Sequence, residues 1–99
     1  MARIADRIYT DQQDIARLEA TIKDLDIGDR VSLCLADGDV VQGIVSAKPT
    51  VQVFFDHAGR EGLNAMVRLE DPALEHPESA GWRDLWVDTI REVRHHNPP

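Results

Sequence analysis

One cysteine, Cys34, is the whole thiol complement of this 99-residue sequence, so no internal disulfide can form and a reducing compartment is expected. Long apolar runs are missing as well. Residues 51–55 are apolar but for one glutamine, and such a run stops far short of the ~20 residues that a membrane-crossing helix needs. No transmembrane helix is expected. Residues 1–7 alternate charge with apolar groups and lack the apolar stretch of a signal peptide, which argues against export and for the cytoplasm. Positive charge is scarce: 11 Lys and Arg face 18 Asp and Glu, a formal net charge of −7. That balance disfavours a polyphosphate partner unless the basic residues gather on one face.

Motifs of chemistry are also missing. The glycines of residues 57–62 are not followed by the lysine and hydroxyl of a phosphate-binding loop. His95 and His96 could join Asp56 and His57 around a divalent ion, but neighbours on a strand point to opposite faces. Cys34 has no partner histidine in its sequence context and reads as structural. No catalytic residue, metal ligand or cofactor is expected, and an enzyme ranks last among the functional readings.

What is present is periodicity. Ile15, Leu18, Ile22 and Leu25 recur at spacings of three and four and predict a helix over residues 10–25, with Thr10 and Gln13 as its capping box. Gly28 should stop it through a positive φ. From residue 30 the period falls to two. Val31, Leu33 and Leu35 predict a strand over 30–35, Asp37-Gly38 a tight turn, and 40–46 a second strand with Gly43 at its middle. Lys48-Pro49 breaks that run, after which Val51, Val53 and Phe55 predict a third strand, and Leu63, Ala65, Val67 and Leu69 a fourth paired back onto it. Residues 70–81 read as the longest connection, 84–87 and 90–94 as two short strands, and the tail from His95 as frayed.

One domain over 1–99 is expected: a mainly β fold with one N-terminal α-helix and a small antiparallel SH3/Sm-like barrel of five or six strands over 30–95. Its core is drawn from Val31, Leu33, Leu35, Val41, Val45, Val51, Val53, Phe55, Val67, Leu69, Leu85, Val87, Ile90 and Val93, and the helix closes one side through Ile15, Leu18 and Ile22.

The alternation of Val31, Leu33 and Leu35, then Asp37-Gly38, then Val41, Gly43 and Val45, resembles the first sequence motif of Sm-like proteins. Residues 85–93 look like the strand, short helical turn and last strand that close SH3-type barrels. Over its whole length the chain is similar to a small, uncharacterised bacterial family of unknown function with a variant Sm-like fold. That resemblance implies a fold more than a function. Lys48-Pro49-Thr50 replaces the acidic residue that Sm-like proteins carry after the mid-strand glycine, leaving Gln52 as the stand-in for the polar RNA-contacting position, and Arg91 is followed by Glu92 where the second Sm motif has glycine.

The leading functional expectation is a non-catalytic interaction module that self-associates, most simply as a homodimer, or binds a protein partner. The rival is an RNA or single-stranded nucleic-acid binder using Arg83, Arg91 and Arg94, which the acidic charge opposes. Trp86 alternates with Leu85 and Val87 and so faces away from their core. There it packs beneath the helix, anchors a partner, or stacks on a nucleobase, an option that nearby Arg83 favours and the acidic charge opposes. The candidate contact residues are therefore Gln52, Arg83, Trp86, Arg91 and Arg94.

Overall fold

The computed structural model describes residues 3–71 and 81–96. Most of the connection expected over 70–81, and the tail from 97 on, lie outside the described residues. The chain forms helix α1 (Gln12–Lys23), then β1 (Arg30–Leu35), β2 (Val40–Ala47), β3 (Gln52–Phe55), β4 (Glu61–Asn64), β5 (Met66–Glu70) and β6 (Trp82–Trp86). A 3-10 turn (Val87–Thr89) leads into β7 (Ile90–His95). The fold is mainly β with one helix and antiparallel pairing. Instead of one barrel of five or six strands, it has a five-stranded sheet ordered β6-β5-β2-β1-β7 and a two-stranded sheet, β3-β4.

Helix α1 starts one residue later than the Thr10 capping box predicts. Asp11 is the N-cap, its carboxylate accepting from the Gln13 amide at 2.8 Å, because a charged acceptor suits the positive end of the helix dipole better than a hydroxyl. Leu18 is buried, Ile22 packs at the core's margin, and Leu25 is fully buried just beyond the helix. Gly28 has φ +87° and its amide donates to the Val45 carbonyl at 2.8 Å, joining the helix exit to β2.

The strands β1 and β2 follow the period-two reading, with Val31 opposite Gly43 and Leu33 opposite Val41. A Cβ on Gly43 would lie 2.8 Å from the Glu70 carbonyl oxygen and 2.9 Å from Leu69 Cβ, so glycine here lets β5 approach β2. The single fourth strand expected over Leu63–Leu69 is two strands. The Asn64 side-chain oxygen accepts the Ala65 amide at 2.8 Å, and the Ala65 carbonyl accepts from Val87 at 2.9 Å. Ala65 thus takes its hydrogen bonds outside the β3–β4 ladder, and the chain bends there. A second bend lies at residues 48–51, where Lys48 Nζ reaches the Ile22 carbonyl at 3.1 Å and Asp26 at 2.7 Å. β2 with β3, and β4 with β5, are therefore the two arms of one long bent hairpin shared by both sheets.

β3 presents the opposite face to the one expected. Phe54 is 3% exposed, whereas Val53 is 50% exposed and Phe55 only half-buried. Apolar residues occupy both faces of this strand, so its period carries no preference. What decides is the segment before the helix. Ile4 bridges Phe55 and Tyr9 bridges Leu63, on opposite sides of the β3–β4 pair, so residues 3–9 form an arm lying across it. Arg3 sits 4.5 Å above the Phe54 ring and its guanidinium donates to Gln52, Ala5 is buried, and Ile8 lies over Gly62. At the far end, His95 belongs to β7 and the His96 amide donates to the Arg30 carbonyl at 2.8 Å, so the expected fraying does not begin at His95.

Candidate functional site

Two places in this fold collect side chains able to do more than pack. The first is a cleft of about 530 Å³ between α1, the arm and the 3-10 turn. Its organising residue is Asp88, which the 3-10 turn fixes in place. The Tyr9 hydroxyl donates to one Asp88 oxygen at 2.8 Å and the Asn64 amide to the other at 3.2 Å. Asn64 is 1% exposed, and its remaining amide hydrogen goes to the Arg7 carbonyl at 2.9 Å. Every polar atom of this buried amide is thus paired, as burial demands. Burial, followed by the hydrogen bond to Asp88 and that carboxylate's charge, pushes the Tyr9 phenol above its ordinary value, against a smaller opposing pull from Arg7. The network joins arm, hairpin and turn.

Leu18, Val87 and Ile90 give the cleft an apolar floor, and three arginines, Arg7, Arg17 and Arg91, stand in its walls. Arg17 lies 3.5 Å from Asp14 one helical turn away. Arg91 donates one N–H to the Asp88 carbonyl at 3.1 Å.

The second place is the outer face of β5 and β6, where cross-strand pairing sets Met66 beside Trp86, Arg68 beside Asp84 and Glu70 beside Trp82. Arg68 holds Asp84 through two hydrogen bonds, at 2.9 and 3.2 Å, and its guanidinium lies 5.3 Å from the Trp82 ring centre. The Arg68 hydrogen bond also holds the Asp84 carboxyl below the usual range. Trp82 is 60% exposed, and Met66 is exposed at the other end of the strand pair.

The five sequence candidates do not converge. Arg91 lines the α1 cleft, while Arg83 lines a separate cleft with Val40 and Leu69 near the far end of the sheet. Arg94, on β7, is paired with Glu92 at 3.1 Å. Gln52 faces the arm as the acceptor of Arg3. Trp86 packs edge-on against Phe54, ring centres 5.1 Å apart at 77°, and not beneath the helix. The residues that build the α1 cleft most directly, Tyr9, Asn64 and Asp88, carry no motif. Tyr9 and Asp88 are 79 residues apart, a separation at which spacing holds no signal.

The remaining titratable clusters are dispersed. His57 pairs with Asp6 at 3.0 Å and His95 lies 3.6 Å from Asp29. His96 Nε2 is 2.6 Å from Ser32 Oγ, satisfying a hydroxyl on a residue only 5% exposed. Cys34 is half-buried. Among the described residues no helix is long and apolar enough to cross a membrane, and no group of three or more His, Cys, Asp or Glu residues is placed to hold a metal ion.

No curated protein matches the chain. The crystal structure of XC5848 from Xanthomonas campestris, described as adopting a novel variant of Sm-like motif, matches it over 100% of both chains, with a TM-score of 0.84 and 35% sequence identity. That neighbour shares the arrangement of helix and strands and carries the Sm-like likeness that Val31 to Val45 suggest in sequence. A family profile, the domain of unknown function DUF3247, covers residues 2–96. The chain spans nearly the whole of itself within that match, and it belongs to the DUF3247 family of domains of unknown function.

Proposed function

We propose that this chain is a cytoplasmic, non-catalytic interaction module that self-associates through the β5–β6 face and the outer edge of β6. The observation that carries this reading is Trp82, 60% exposed on a strand at the end of the sheet. A strand at a sheet's end offers unpaired backbone groups, and an exposed tryptophan supplies the anchor that most often dominates an interface. A two-fold homodimer is the simplest assembly that satisfies both. The same reading takes the seven strands as an Sm-like barrel left open between β6 and β7, the bent hairpin folding one sheet toward the other.

The nucleic-acid reading has less support. Arg91 and Arg94 are three apart on one strand and so face opposite sides, and Arg83 lies on β6 at the other end of the sheet. Sedimentation equilibrium up to about 100 μM, a range that detects micromolar association, should give a dimer mass for the native chain and a monomer mass for Trp82→Glu with an unchanged circular dichroism spectrum. A monomer across that range for the native chain sinks the proposal. If labelled single-stranded RNA then binds with a steep salt dependence, the RNA reading takes its place.

A further inference from the structure

The α1 cleft has no part in the self-association just proposed, and its polar groups are unequally satisfied. Both Asp88 oxygens are occupied, by Tyr9 and Asn64, and Asp14 has Arg17 beside it. The carboxylates lining the cleft are thus already matched. Among the described residues the guanidiniums of Arg7 and Arg91 are paired with no carboxylate. Arg91 gives one N–H of its five to a backbone carbonyl, and Arg7 lies beside the Tyr9 hydroxyl that Asp88 already holds. In a chain of net charge −7, this cleft collects three arginines against two aspartates. Beneath them lies a floor made of Leu18, Val87 and Ile90, and the volume of about 530 Å³ is that of a small-molecule site.

From these observations we infer that the cleft between α1, the arm and the 3-10 turn binds a small organic anion, with its carboxylate or phosphate head held by Arg7 and Arg91 and its apolar body resting on Leu18, Val87 and Ile90. Guanidinium groups recognise either head through paired N–H donors, and the charge-assisted bonds they form are the strong ones. A cation is disfavoured, because it would have to displace Tyr9, Asn64 or Arg17 from the two carboxylates. A bare inorganic anion would leave the floor unused.

The test is an amide NMR titration of the full chain with four probes: hexanoate, hexyl phosphate, hexanamide and inorganic phosphate. Hexanoate, hexyl phosphate or both should shift the amides of Tyr9, Thr21 and Val87 to Arg91, and the tighter of the two identifies the head. Hexanamide and inorganic phosphate should each bind about tenfold more weakly or worse, the loss expected when a charged pair or the apolar contact is removed. Arg7→Gln and Arg91→Gln, both at exposed positions, should weaken the anion by a similar factor while leaving the remaining spectrum in place. Any of four results overturns the inference: no shift from either anion at about 10 mM, the weak limit of specific binding; hexanamide equal to hexanoate; shifts that map outside the cleft; or both arginine variants binding like the native chain.

Discussion

Around Leu33 and Val67 the five-stranded sheet is held by apolar side chains that are wholly buried, whereas the β3–β4 pair is held by what crosses it. The pair's stability comes from an arm whose carbonyls and amides bond Phe55 and Leu63, from Ile8 seated on Gly62, and from the Tyr9–Asp88–Asn64 network. The contrast matters because the two regions share continuous strands. A hairpin of two short strands is marginal alone in water, so the same strands need a core at one end and a strap at the other.

That division can be broken at either end. The largest loss should follow Leu33→Ala, which empties a fully buried site and should cost about 2–5 kcal/mol in denaturant unfolding. A change below about 0.5 kcal/mol, the level of an ordinary surface substitution, would place Leu33 outside the core. The two crowded glycines should separate the regions next. Gly43→Ala forces a Cβ against the Glu70 backbone and should cost about 1–3 kcal/mol. Gly62→Ala meets side-chain atoms of Ile8 and no backbone, so its cost should be the smaller, about 1 kcal/mol. Equal costs would show the arm to be as rigid as the sheet.

Asp88→Ala leaves the Tyr9 hydroxyl and the buried Asn64 amide short of an acceptor. A loss of about 1–3 kcal/mol is expected, with faster hydrogen exchange at Ala5 and Tyr9 and little change in β1. Uniform acceleration across both regions would merge them into one cooperative unit. The smallest effect concerns pH. Tyr9 is the one tyrosine of the chain, so phenolate absorbance reports it alone. Its folded phenol titrates above the unfolded one because of burial first and Asp88 second, so the fold prefers the neutral form. The corresponding stabilisation is complete below about pH 10, the unfolded value, and is lost as pH rises through the folded value. Tyr9→Phe should abolish that dependence, and a titration midpoint below that of free tyrosine would contradict the network.

The same contrast governs what the sequence makes legible. β1, β2 and their turn are visible because in β1 the large apolar side chains keep to one face, opposite Ser32 and Cys34, and in β2 burial itself alternates, which is the condition under which a period of two has meaning. β3 has apolar residues on both faces because one is covered by the arm, and a period of two cannot choose between Phe54 and its neighbours. Ala65 continues the alternation of Leu63 and Val67 straight through a bend that the Asn64 side chain makes. The arm itself is too mixed in polarity to read as structure. Of the cleft, only Arg91 stands out in sequence, as one of a group of basic residues near the end of the chain. The geometry separates it from Arg83 and Arg94 and sets it near Arg7, in a cleft built from elements at both ends of the chain.

The Tyr9–Asp88 bond joins positions 79 residues apart, while the long bent hairpin closes between neighbours in sequence. Contacts across so large a loop carry the greater entropy of closure and form late. The arm closes one of the largest loops in the fold, and the α1 cleft exists only while the arm is seated. A molecule resting in the cleft would therefore bind only the chain with its arm in place, and would draw the equilibrium toward that state. Hydrogen exchange at the arm amides of Ala5 and Tyr9 would slow as the cleft fills.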